Sequence, residues 1–196
     1  MHNKKVSAAL VAGILAVSAS AMAGGPTAEA IVGNTCAGCH GTNGASKGAA
    51  PVVGGLSEAY LAGAMAAYKD GTRYSTIMGR IAKGYDQGEI LDMSKYLAAQ
   101  PWVSGNRPVD LKLAEKGKQL HNANGCGSCH GANGISPMPT TPRLAGQYAD
   151  YLVFQMDDFR DAKKAIPPGA MVMRSMLTPL SDDDVKALAA FYASSK

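Results

Sequence analysis

Residues 36–40 read CAGCH and residues 126–130 read CGSCH, and the two stretches together use all four cysteines of a 196-residue chain. Cys-x-x-Cys-His is the spacing of c-type haem attachment. Two thiols add across the two vinyl groups of a porphyrin, and two intervening residues let both sulfurs face one ring edge from a single helical turn. The next residue, His40 or His130, then lies under the iron as the proximal ligand. A redox-active Cys-x-x-Cys pair has no need of the adjacent histidine, a structural disulfide rarely bridges so tight a spacing, and a zinc site needs only one set of four ligands. The expectation is therefore two covalent haem c groups, one on Cys36 and Cys39 and one on Cys126 and Cys129.

The far side of each iron needs a ligand too, and nitrogen is scarce. Outside the two motifs the only histidines are His2 and His121. His2 lies in the leader, and His121 sits on the helix entering the second motif, on the wrong side to reach round the ring. A thioether is the expected donor, and Met/His coordination raises the haem potential. Among ten methionines, most are expected to be core filler. Met78 precedes Tyr96 by 18 residues and Met173 precedes Phe191 by 18, with Ile81 matching Met176, Ile90 matching Val185 and Met93 matching Leu188 between them. Met65 and Met156 also repeat and form a rival pair, but they fall inside expected helices. Met78 and Met173 fall on the connection before the last helix and are the expected axial ligands. Pro51 and Pro142, equivalent in the repeat, are candidates to offer carbonyls to the proximal imidazoles, or are plain loop prolines.

These residues must be positioned by a repeated helical unit. The motif recurs at an offset of 90, and PVVGGLSEAYLAGAMAAY from Pro51 aligns with PRLAGQYADYLVFQMDDF from Pro142 at an offset of 91. A match spread through the whole unit indicates a duplicated domain. In each unit a helix leads into the motif, clearest over 110–125, where Leu111, Leu113, Ala114, Gly117 and Leu120 make an apolar stripe. A glycine-rich loop follows, then an amphipathic helix (about 57–68 or 149–159) and a final helix (about 88–99 or 181–193). Ser181 followed by three aspartates is a helix start, since acids meet the positive end of the dipole. No segment alternates as a strand, so the fold class is all-α. PWVSGNRPVD, with two prolines and a glycine, reads as a linker.

The first residues give Lys4 and Lys5, an apolar run from Val6 to about Val17, and a small-residue end at Ala21-Met22-Ala23, the pattern of a cleaved secretory signal peptide. The run is short and alanine-rich for an uncleaved anchor. The expected organisation is signal peptide 1–23, first haem domain 24–100, linker 101–110 and second haem domain 111–196. The mature chain is expected in the periplasm, with no membrane span after processing. Loss of Lys4 and Lys5, with no acid in that segment, takes the formal charge from +4 to +2, and haem propionates would lower it further. With no Lys/Arg cluster interleaved with aromatics, nucleic acid is not an expected partner.

The duplicated unit resembles tandem class I cytochrome c domains. PRLAGQYADYL is similar to a stretch of the soluble two-haem cytochromes, while NTCAGCHGTNG, STIMGRIAKGY (Ser75 to Tyr85), DFR and the closing FYAS resemble the cytochrome subunit of flavocytochrome c sulfide dehydrogenase over essentially the mature chain. That resemblance implies a periplasmic flavoprotein (FAD) partner that carries the catalytic site, oxidises sulfide and passes electrons through this chain to a soluble cytochrome c or similar acceptor. The loop AKKAIPPGAMVMRSM departs from it towards the stand-alone two-haem cytochromes, which implies the alternative of a free periplasmic shuttle to a terminal oxidase. With both axial positions filled, the haems relay single electrons and perform no bond chemistry. A peroxidase would need an open haem, which a suitable methionine in each half disfavours.

A unit of some 75 residues is marginal without a porphyrin in its core. Replacing Cys36 and Cys39 by alanine should therefore leave the first unit disordered. Far-ultraviolet circular dichroism should show a loss of helix, and retention of full helix content would contradict the expectation.

Overall fold

The computed structural model describes residues 26–48, 50–105 and 107–196. The expected signal peptide lies outside the described residues. Every regular element among those described is helical. The first half contains α1 (Ala28–Asn34), the single turn α2 (Ala37–His40), α3 (Glu58–Asp70), the short α4 (Met78–Ile81) and α5 (Gln87–Ala98). The second repeats the order with α6 (Leu111–Ala123), α7 (Gly127–His130), α8 (Ala149–Arg160), α9 (Met171–Leu177) and α10 (Asp182–Ser194).

The helix starts are written in the sequence. Ser57 accepts from the Tyr60 amide at the head of α3, and Asp110 accepts from the Lys112 and Leu113 amides at the head of α6. Capping boxes open both last helices, Asp86 with Glu89 on α5 and Ser181 with Asp184 on α10. Each satisfies backbone donors that the first turn leaves without partners. The two short helices α4 and α9 are the elements that apolar periodicity does not predict. Each is too short to show a stripe, and Pro167 and Pro168 start the turn that leads into α9.

In both halves the last helix is the centre of the packing. α5 lies against α1 and α3 and buries Ile90, Met93 and Leu97 with Leu61 and Leu56. α10 lies against α6 and α8, where Val185, Leu188, Phe191 and Tyr192 pack with Leu152, Met156 and Leu177. The first and last helices cross at a glycine each time. A Cβ on Gly33 would fall 2.2 Å from the Tyr96 ring, and one on Gly117 would fall 1.9 Å from the Ala187 carbonyl oxygen and 2.8 Å from Phe191 Cβ. The aromatic partners are the residues whose 18-residue spacing singles out Met78 and Met173 in the sequence.

The halves meet along a polar seam, and some of its groups are equivalent positions of the repeat. The Tyr74 amide donates to the Ala165 carbonyl at 2.8 Å, and these residues are 91 apart. Arg73, 7% exposed, lies over the Tyr68 ring at 4.8 Å and reaches Tyr60 Oη and, across the seam, Gln155 Oε1 at 2.6 Å. The Ser57 hydroxyl donates to the Pro139 carbonyl, and the Tyr148 hydroxyl donates to the Ser46 carbonyl at 2.7 Å. The segment at 101–110 has no regular structure, but it is pinned to the second half. The Gly105 amide donates to the Gly146 carbonyl at 2.7 Å, and the Trp102 ring lies under the Arg143 guanidinium at 5.0 Å.

Gly117→Ala should destabilise the second half, because the intruding methyl meets backbone that cannot rotate away. The expected cost is about 1–3 kcal/mol, read as a lower denaturant midpoint of the holoprotein. An unchanged midpoint would show that the helix crossing tolerates a wider spacing.

Candidate haem-binding sites

Each attachment motif is one turn of helix. The His40 amide donates to the Cys36 carbonyl at 2.9 Å and the His130 amide to the Cys126 carbonyl at 3.0 Å, so both thiols and the following imidazole are set by one turn. None of the four cysteines is paired in a disulfide; Cys36 and Cys126 are half-buried, Cys39 and Cys129 exposed. Burial raises the pKa of the Cys36 and Cys126 thiols. The turn ends in a glycine of positive φ, Gly41 at 76° and Gly131 at 70°. A Cβ at either would lie within 2.5 Å of a loop carbonyl oxygen, that of Ala45 or Ile135. The chain thus reverses directly after the histidine, which the five-residue spelling alone does not reveal.

The imidazoles of His40 and His130 differ in their support. His40 Nδ1 donates to the Pro51 carbonyl at 2.9 Å, so that Nε2 carries the lone pair and could serve a metal. This is the carbonyl contact anticipated for Pro51. His130 Nδ1 is buried with no hydrogen-bond partner among the described residues, and Pro142 does not supply one. Burial lowers the pKa of both rings. That of His130 is pushed down to about 4, chiefly by burial and in smaller part by His121. Both are neutral at pH 7, the state in which imidazole binds a metal. His121 is only 1% exposed and sits with Nδ1 2.9 Å from the Tyr192 hydroxyl, its ring tilted against Phe191. It is a packed core histidine on α6.

The methionines separate by environment. Met156 is 8% exposed and belongs to the second core, while Met65 is half-buried on α3; Met171 and Met176 are exposed. Met78 opens α4 and is half-buried, with the Ser75 hydroxyl accepting from the Gly79 amide at 2.7 Å. Met173 lies within α9, partly buried against the second core. The next residue, Arg174, ties α9 down by donating to the Phe159 carbonyl at 2.9 Å and to the Asp161 and Lys164 carbonyls at 2.9 and 2.6 Å. Nothing in the sequence pattern marks Arg174 as the residue that fixes the Met173 helix.

Free paired thiols on single turns, each followed by a neutral imidazole, fit covalent haem by their chemistry. The cytochrome c family model matches residues 27–100 and 114–196. The chain belongs to the cytochrome c family. It is 45% identical over 185 residues to a cytochrome c4 from Thiocapsa roseopersicina, covering 89% of this chain and 94% of that one. The crystal structure of reduced recombinant cytochrome c4 from Pseudomonas stutzeri superposes with a TM-score of 0.75 at 26% identity, covering 87% of this chain and 99% of that chain. A cytochrome subunit of sulfide dehydrogenase from Chlorobaculum tepidum is 46% identical over 66 residues, 34% of this chain and 60% of that protein. Likeness along the whole chain is thus to two-domain cytochromes of the c4 kind. The likeness to the sulfide dehydrogenase subunit spans about a third of the chain, not the essentially complete mature chain that its motifs suggest. The chain is a two-domain class I cytochrome c with one covalent haem c in each domain. Among the described residues no helix is long and apolar enough to cross a membrane.

Proposed function

We propose that this chain is a periplasmic two-haem electron carrier in which both irons are closed to substrate. Cys36 and Cys39 attach the first haem and Cys126 and Cys129 the second; His40 and Met78 are the axial ligands of the first iron, His130 and Met173 those of the second. The haems supply reversible one-electron chemistry. The residues around them hold both imidazoles neutral, the Pro51 carbonyl orients that of His40, and the short helices α4 and α9 would bring thioethers to the distal side. The observation that carries this reading is the pairing, in both domains, of an attachment turn with a half-buried methionine on a short helix before the last one.

A second reading makes the chain the electron-accepting subunit of a flavoprotein that oxidises sulfide, and one feature favours it. Beside Met78 the side chains of Ile77 and Ile81 are 48% and 37% exposed, with Arg80 and Lys83 exposed next to them. Of the apolar residues of this stretch Ile81 stays outward, whereas Ala82 is fully buried and Tyr85 is half-buried with its hydroxyl 2.9 Å from that of Thr35. An apolar patch with a basic rim over the distal helix suits docking of an electron donor at the first haem. Stable interfaces are larger and more apolar than fleeting redox contacts.

Purification from the native host separates the two. A carrier is expected as a haem-only protein, inert to sulfide and exchanging electrons with acceptors at rates that fall with added salt. A stoichiometric flavin-containing complex that survives high salt, and whose haems are reduced on adding sulfide, would overturn the free-carrier reading in favour of the subunit.

A further inference from the structure

The repeat contains one exchange that links the domains. In the first domain the Gly55 amide donates to the Leu97 carbonyl at 2.9 Å; in the second, the Gly146 amide donates to the Tyr192 carbonyl at 2.8 Å, with φ of 77° and 76° at the two glycines. The same turn is built twice, each tied to the end of its own last helix. The next residue differs. Leu56 is an apolar core residue that packs with Leu61 and Leu97, whereas its counterpart 91 positions on is Gln147.

Gln147 is 3% exposed and spends its side chain on the other domain. Its Oε1 accepts from the Val52 amide at 3.0 Å, and its Nε2 donates to the Val52 carbonyl at 2.9 Å. Its Oε1 also accepts from the Tyr148 amide at 3.1 Å, which fixes the orientation of the side chain. Val52 is fully buried, so without Gln147 both of its backbone groups would be left without partners, a costly state away from water.

The Val52 amide and the Pro51 carbonyl belong to one planar peptide group. One edge of that plane accepts from His40 Nδ1 at 2.9 Å and the other donates to Gln147. The three groups form a chain of hydrogen bonds that runs from the second domain to the first domain's imidazole, and each bond polarises the next. The second domain has no matching arrangement. The counterpart of Val52 is Arg143, which lies over Trp102, and His130 Nδ1 has no partner.

We propose that Gln147 is a positioning residue for the first haem, holding the Pro51–Val52 peptide on His40 from across the domain seam. The electronic state of the first iron then depends on the docking of the second domain. This rests on the reading of His40 as an axial ligand. Donation from Nδ1 raises the basicity of the imidazole and favours the ferric state. Loosening the peptide should therefore make the first haem easier to reduce.

The test is Gln147→Met in the full holoprotein, with the two haems followed separately through their methyl resonances in a redox titration. The expected result is a rise in the reduction equilibrium constant of the first haem of about two- to tenfold, the span of one hydrogen bond, with the second haem unmoved. Tyr148→Phe removes the seam bond to the Ser46 carbonyl but leaves the peptide clamped, and it should leave both haems unmoved. No shift in Gln147→Met, an equal shift of both haems, or the same shift in Tyr148→Phe would overturn the proposal. If Gln147→Met yields no folded holoprotein, amide exchange in the unaltered protein decides: Val52 should exchange among the slowest amides, and fast exchange would overturn the clamp. His40→Ala tests the underlying reading by itself, since an unchanged low-spin spectrum of the first haem would remove His40 as a ligand without bearing on the clamp.

Discussion

In the proposed assignment, the constraint on which the rest of the structure depends is that a covalently attached porphyrin and its proximal ligand come from one turn of helix. With Cys36 at the head of α2 and Cys39 and His40 on it, the imidazole has little freedom left, and the surrounding chain must meet it. Gly41 reverses the backbone at once, the loop returns to bring Pro51 against His40, and α1 and α5 close at Gly33 behind the turn. The second domain solves the same problem with Gly131, α6 and α10.

Duplication did not leave the two solutions identical. Leu56 keeps its side chain in its own core while Gln147 crosses to the neighbouring domain. The connection to the last helix is longer in the second domain, where Arg174 secures α9 through three backbone carbonyls. The seam itself is polar: Arg73 is enclosed by tyrosine rings and Gln155, and the Tyr148 hydroxyl reaches the Ser46 carbonyl. Specific buried hydrogen bonds of this kind hold a relative orientation more strictly than apolar contact, because an altered geometry leaves polar groups without partners. The domains are thereby held as one unit instead of two beads on a tether.

Much of this was legible in the residues. The helix start at Ser181, the apolar stripe over 110–125 and the repeated motif lead directly to an all-helical two-domain fold. The paired spacings from Met78 to Tyr96 and from Met173 to Phe191 mark the aromatics that press on Gly33 and Gly117. Other features were not legible, for physical reasons. α4 and α9 are too short to have a period, and the role of Arg174 depends on where three distant carbonyls fall. Gln147 looks like one more polar loop residue until its partner, 95 positions away, is seen. Pro51 and Pro142 look equivalent in sequence, yet only Pro51 receives a histidine. The likeness to the sulfide dehydrogenase subunit covers only about a third of the chain, because short motifs around a haem are shared by many chains that bind one.

The central claim is that each iron is closed by a methionine from the short helix of its own domain. The most direct measurement is the sulfur-to-iron charge-transfer absorption of the oxidised holoprotein at the red edge of the spectrum. Met78→Ala should abolish about half of it and Met173→Ala the other half, as expected for two independent Met/His haems. Loss of the band on replacing Met65 or Met156 instead, with Met78 and Met173 variants unchanged, would contradict the account.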